Sequence, residues 1–126
     1  MPYRILVVED NPDCREMIAL HLKWLGYEPL EAETGEAAIG MALAERPDLI
    51  ILDLALPGMS GFQTASRLKN DPQTRDIPIV AHTAFPEDEY RSRVAEAGML
   101  ALVPKPVSPR VLQATIERCF RSVKAD

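Results

Sequence analysis

Short apolar runs alternate with longer amphipathic stretches along the whole chain. Residues 4–8 form a run of the first kind, ended by Glu9, Asp10 and Asn11. An apolar run bounded by polar residues reads as a strand buried on both faces, the type found in parallel sheets. Asn11 and Pro12 suit the cap and first turn of a helix. Cys14, Met17, Ile18, His21, Leu22 and Leu25 extend that helix at spacings of three and four until Gly26 stops it. Residues 28–33 read as a short, polar second strand at a sheet edge, and 35–45 as an alanine-rich helix broken by Arg46-Pro47. The run 47–53 then leads directly into the carboxylate of Asp53, and a turn over 56–61 follows at once. Ser60 caps a third helix that reaches about Lys69. Residues 77–83 are a fourth strand, and Pro86 and Glu87 open a fourth helix that Gly98 closes. Residues 99–103 are a fifth strand, which Pro104 confines to an edge. Ser108 and Pro109 start a last helix with Val111, Leu112, Thr115, Ile116, Cys119, Phe120 and Val123 on its apolar face. The expected class is α/β, a doubly wound five-stranded parallel sheet with five helices covering both faces.

Composition narrows the possibilities further. A length of 126 residues suits a single domain over 1–126, large enough for a core without staples. The net charge of −5 argues against a direct nucleic-acid module, which would be basic. No apolar stretch approaches the ~20 residues of a membrane span, so no membrane insertion is expected. The first strand begins almost at Met1, leaving no room for a leader. Cys14 and Cys119 lie far apart and read as small hydrophobes in a reduced compartment. These features together imply a cytoplasmic protein.

Right-handed crossovers bring the carboxyl ends of all strands in such a sheet to one rim. The first strand delivers Glu9 and Asp10 there, the third Asp53, the fourth Thr83 followed by small Ala84, and the fifth Lys105 followed by Pro106. Clustered carboxylates suit Mg²⁺, which prefers octahedral oxygen and binds through one or two carboxylates plus a phosphate. A lysine beside them is a point charge for phosphate oxygens, and a central carboxylate can act as a nucleophile toward phosphorus. Singly, each residue has a bland reading as a solvated strand end or a helix cap. Their joint occurrence at successive strand ends reverses the odds.

The pattern Glu9-Asp10, Asp53 with Pro57 and Gly61, Thr83-Ala84 and Lys105-Pro106 resembles the receiver domain of two-component response regulators, over essentially the whole chain. It looks most like the single-domain, chemotaxis-regulator type. The resemblance implies the flavodoxin-like strand order 2-1-3-4-5. It also implies a phosphoacceptor at Asp53 and a Mg²⁺ site formed by Asp10 directly, Glu9 mainly through water, Asp53 and the backbone carbonyl of Ala55. Thr83 would bind a phosphoryl oxygen, Lys105 would pair with Asp53 and then with the phosphate, and the Lys105-Pro106 bond would be cis. The implied partners are a histidine kinase or histidine phosphotransfer protein as donor and an unidentified output protein. The chain would act on itself alone rather than as an enzyme with an outside substrate.

Three positions depart from the family pattern. Leu102 stands where many receivers carry an aromatic residue three positions before the lysine. Ala55 and Phe85, two residues after Asp53 and Thr83, occupy positions that tune phosphate lifetime, and neither can orient a water by hydrogen bonding. His82 should point away from Thr83 and pack, and His21 and Trp24 suggest no chemistry. Arg91 and Arg93, or Arg110, Arg118 and Arg121, offer parts of a docking surface, although charged residues on helices are more often solvated faces. A receiver excised from a larger hybrid kinase or transcription factor is an alternative. A pseudo-receiver that never carries phosphate is disfavoured by the presence of Asp10, Asp53, Thr83 and Lys105. A phosphatase with an Asp nucleophile is disfavoured by Ala55, where those enzymes place a second Asp.

Overall fold

The computed structural model describes residues 2–124, Lys124 by its backbone alone; Met1, Ala125 and Asp126, the ends of the expected domain, lie outside the described residues. The elements follow as β1 (Arg4–Val8), α1 (Pro12–Trp24), β2 (Glu28–Ala32), α2 (Gly35–Glu45), β3 (Leu49–Asp53), α3 (Gly61–Asn70), β4 (Ile79–Thr83), α4 (Glu87–Glu96), β5 (Ala101–Pro104) and α5 (Pro109–Lys124). All strand pairs are parallel, in the order β2-β1-β3-β4-β5, the flavodoxin-like arrangement.

Strand alternation sorts the core into two layers. Leu6, Val8, Ile50, Leu52, Ile79 and Ala81 meet α2, α3 and α4 through Ala38, Ala42, Ala65, Leu68 and Val94. Ile5, Val7, Leu49, Ile51 and Val80 meet α1 and α5 through Ile18, Leu22, Leu112, Ile116 and Cys119. The same period of two carries Glu9 and Asp53 onto the α1/α5 side at the rim. Helix starts are fixed by their caps. Asn11 accepts the Cys14 N–H at 3.0 Å, Thr34 accepts the Ala37 N–H at 3.1 Å, and Ser60 and Gln63 form a reciprocal capping box.

Several expectations shift. The expected stripe on α1 does not all face inward: Met17 is 51% exposed, and Leu20 and Trp24, outside that stripe, are 66% and 83% exposed. The helix carries apolar residues on two sides, and the sheet covers only the side of Ile18 and Leu22. On α5, Val111 and Val123 are likewise exposed. β4 starts at Ile79 rather than 77, because Pro78 has no N–H and the Ile77 N–H donates instead to Thr74 O in a turn. β5 extends over Ala101–Pro104 rather than 99–103. Pro104 pairs with Thr83 in register on the edge strand, where its missing N–H breaks no further ladder.

Gly61 is required by close approach. A Cβ there would lie 2.5 Å from Leu54 Cα and closer still to the Asp53 carbonyl oxygen, both backbone atoms that have no room to yield. Gly61→Ala is expected to destabilise the fold by about 2 kcal/mol through overpacking, despite the better helix propensity of alanine. Urea unfolding midpoints of the two proteins measure this.

Candidate functional site

The carboxyl ends of β1 and β3 place two carboxylates out of water. Glu9 is 1% exposed and Asp53 2% exposed, whereas Asp10 stands in solvent at the mouth. Carboxylate oxygens of Glu9, Asp10 and Asp53 all lie within 4.8 Å of one another. An isolated buried carboxylate is costly, so the compensating groups decide whether the arrangement stands. Lys105, which follows β5, supplies the main one. Its Nζ donates to Asp53 Oδ2 at 3.0 Å and meets Glu9 Oε1 at 2.5 Å, an ion-pair contact outside hydrogen-bond alignment. The Ala55 N–H donates to Asp53 Oδ1 at 3.1 Å, and the Asn11 N–H to Glu9 Oε2 at 3.2 Å.

These contacts shift the charges in opposing ways. Burial raises the Glu9 pKa above its usual value, with Asp53 adding to the rise, although Lys105 and the Asn11 N–H pull it down. Burial alone would lower Lys105, but its contacts with the Glu9 and Asp53 carboxylates together outweigh that, and the net shift is upward. The ammonium is therefore firmly charged.

Thr83 is fully buried. It sits one position beyond His82, the register partner of Asp53. Its hydroxyl oxygen accepts the Phe85 N–H at 3.0 Å, which leaves the hydroxyl proton free to be donated. Its backbone carbonyl accepts the Lys105 N–H at 2.9 Å, so the ends of β4 and β5 are tied together. Lys105-Pro106 is cis, as the resemblance implied. Pro106 and Ala84 are exposed, and Leu102 is half-buried against the core layer of α2, α3 and α4. Phe85 stacks on Tyr90 at 4.8 Å between ring centres. Phe62 lies 6.4 Å from Tyr90, and the Arg93 guanidinium lies over both of those rings. Arg93, expected to be merely solvated, is thus part of an aromatic cluster beside Ala55.

Two readings from sequence are corrected at the rim. His82 does not face away from the site. Its in-register pairing with Asp53 puts both on one side of the sheet, and a ring nitrogen approaches Glu9 and Cys14. Cys14 is not a plain small hydrophobe either, because it borders Glu9; burial first, then that carboxylate, push its thiol up to about 11. Sequence reading also missed Arg15. It is 9% exposed and binds the Glu9 carbonyl oxygen at 2.9 Å while pairing with Glu31 at 3.2 Å and Glu33 at 3.5 Å, which fixes the loop that carries Glu9 and Asp10. The available signal was an arginine in the first turn of a helix whose neighbours in the sheet are acidic.

Comparison with known proteins agrees with this fold. The sequence model of the response regulator receiver domain matches residues 5–117. The phosphate regulon transcriptional regulatory protein PhoB of Escherichia coli is 44% identical over 98% of this chain and 54% of its own length. The chain thus spans about half the length of such relatives. The polar-differentiation response regulator DivK of Brucella anthropi is 35% identical over 90% of this chain and 93% of its own length. The receiver domain of sensor histidine kinase PA1611 from Pseudomonas aeruginosa, solved with magnesium in its active-site cleft, superposes with a TM-score of 0.86 at 31% identity, covering 94% of this chain and 98% of that one.

Burial, and secondarily the Lys105 charge, lower the His82 pKa from 6.5 to about 4. The folded state therefore resists protonating this ring, while the unfolded chain takes up the proton below 6.5. The stability that neutral His82 contributes is present above 6.5 and is lost as pH falls toward 4. With a chelator present, the stability of wild type relative to His82→Leu is expected to drop by up to about 1.4 kcal/mol per pH unit in that window. Denaturant titrations at successive pH values check it; a constant difference contradicts it.

Proposed function

The chain belongs to the response regulator receiver domain family, and from that premise we propose that it accepts a phosphoryl group on Asp53 from a phosphohistidine and thereby switches partner binding. One observation carries the assignment to this residue. Asp53 is the buried carboxylate that closes the central strand β3 and takes the Lys105 ammonium's hydrogen bond on Oδ2, with a backbone N–H on Oδ1 and two further carboxylates beside it.

The donor set of Glu9, Asp10 and Asp53 fits a hard cation, with oxygen atoms only and a mouth open at Asp10. These three and the Ala55 carbonyl would hold Mg²⁺, which supplies charge neutralisation at the phosphoryl oxygens. In the transfer, an Asp53 oxygen attacks phosphorus in line with the N–P bond of the donor. The O–P bond forms, the N–P bond breaks, and its electron pair leaves on the imidazole nitrogen. Lys105 keeps its charge throughout and moves its hydrogen bond from the carboxylate to a phosphoryl oxygen. Thr83 donates its free hydroxyl proton to another phosphoryl oxygen. Positioning and electrostatics of this kind supply most of the catalysis in phosphoryl transfer.

Phosphorylation adds nearly two negative charges at neutral pH. The Thr83 carbonyl to Lys105 N–H bond gives that charge a route into the ends of both β4 and β5. Half-buried Leu102 has no hydroxyl to present to a partner, so the readout at β5 rests on repacking. The donor is a histidine kinase or a histidine phosphotransfer protein, and the output is an unidentified partner. A receiver acting within a longer protein is a second reading, favoured by the 54% coverage of PhoB. The chain acts on itself and has no outside substrate.

Incubation with Mg²⁺ and acetyl phosphate is expected to add one phosphoryl mass to wild type and none to Asp53→Asn. Lys105→Met should slow the gain by about 10²-fold. Wild type that never gains the mass sinks the proposal. Neither Ala55 nor the stacked Phe85 can hold an attacking water by a side-chain hydrogen bond, so the phosphate should persist in Mg²⁺ buffer for minutes or longer. Loss within seconds, followed by intact mass after removal of acetyl phosphate, contradicts that.

A further inference from the structure

Three elements bring unlike donors together beside the acidic pocket. Glu9 ends β1, Cys14 lies in the first turn of α1, and His82 is the penultimate residue of β4. A carboxylate oxygen, the thiol sulfur and a ring nitrogen from these residues all lie within 4.8 Å of one another. His82 is 2% exposed, and its Nε2 has no hydrogen-bond partner. Leaving a buried polar atom unpaired costs about 1–3 kcal/mol. Plain packing does not account for an imidazole in this position, because an aliphatic side chain would fill the same space without that cost.

The chemistry of the set is distinct from that of the neighbouring carboxylates. Oxygen, nitrogen and sulfur together suit a borderline cation such as Zn²⁺ and do not suit Mg²⁺. Tetrahedral Zn²⁺ with bonds of about 2.0–2.3 Å separates its ligands by roughly 3.5 Å. The donors lie within 4.8 Å of one another, so closing onto the ion takes a contraction of about 1 Å at most, to which side-chain rotation of half-buried Cys14 and of Glu9 contributes. Three protein ligands leave a fourth position for water.

We propose that Glu9, Cys14 and His82 form a binding site for a borderline divalent cation, Zn²⁺ being the best fit, and that this site shares Glu9 with the acidic pocket. As the sulfur–metal bond forms, the thiol proton leaves to solvent. One Glu9 carboxylate then has two competing duties. When it turns to the mixed site, Lys105 keeps Asp53 as its counter-ion, and the hard-cation pocket loses one of its three carboxylates. Loading of the mixed site thus opposes phosphorylation. The site itself stands apart from the phosphoryl-transfer reading; only this coupling rests on it.

Co²⁺ is the probe for the site, titrated into the purified chain in excess Mg²⁺. The expected result is a stoichiometric thiolate-to-cobalt charge-transfer band in the near ultraviolet, abolished by added Zn²⁺. Cys14→Ser, a nearly isosteric change, should remove the band, and His82→Leu should weaken binding by about tenfold or more. Asp10→Asn, which touches only the acidic pocket, should retain it. A wild type without the band overturns the site, as does a band that His82→Leu leaves at full affinity. For the coupling, Zn²⁺ should slow the mass gain from acetyl phosphate at fixed Mg²⁺ in wild type and not in Cys14→Ser. Equal slowing of both proteins overturns the coupling. If the phosphoryl-transfer reading itself fails, neither protein gains mass, while the cobalt band still reports on the site.

Discussion

The ammonium of Lys105, set between the carboxylates of Glu9 and Asp53, is the contact on which the rest of this rim depends. Two carboxylates buried this deeply repel each other and are both cut off from water. Taking one charge out of a buried set leaves the others uncompensated, at a cost of several kcal/mol. The chain meets that cost with one long side chain reaching in from beyond the edge strand β5. That reach is possible because the parallel strands in the order β2-β1-β3-β4-β5 end at a common rim. Stability and chemistry share the same three side chains. Under the proposed function, the ammonium that would face the incoming phosphoryl group is already held in the pocket.

The surrounding contacts restrict how this triad can move. Arg15 fastens the loop after β1 by its carbonyl, the capping box of α3 fixes the chain beyond Asp53, and Thr83 holds the Lys105 backbone. Gly61 lets α3 begin directly against the Asp53 carbonyl. Each element that brings a functional group to the rim is therefore anchored within a few residues of it. The part left comparatively free is the outer ring cluster of Phe85, Tyr90 and Phe62 under Arg93, where contacts are stacking and cation–π and no buried charge is at stake.

Much of this was legible in the sequence, for reasons that differ by residue. The run into Asp53 could be read because a strand buried on both faces tolerates almost nothing but apolar residues. Glu9, Asp10, Thr83 and Lys105 could be read because strand ends in a parallel sheet have a predictable common destination. The environment of His82 was misread. Alternation correctly opposed it to Thr83, but it is His82 that shares the face of Asp53, while Thr83 closes β4 one position further on. The partnership of Cys14 with Glu9 depends on the rotation of α1 against the sheet. The single stripe read from the sequence placed Met17 with Cys14 and so missed that rotation, since Met17, Leu20 and Trp24 mark out a second, exposed apolar stripe. Arg15 was hidden for the same reason, its partners Glu31 and Glu33 lying on a neighbouring strand and the loop beyond it.

That second stripe also determines how the molecule can be observed. Trp24 is the chain's only tryptophan, stands 83% exposed, and closes a helix whose first turn borders the acidic rim. At 1.5 Å per residue it lies about 15 Å down the axis from Cys14, at the opposite end of the sheet. The optical signal of this protein is therefore separated in space from its chemistry. Intrinsic fluorescence will follow whatever comes to cover the outer face of α1, and the proposed modification of Asp53 has to be read by mass or by a probe placed at the rim.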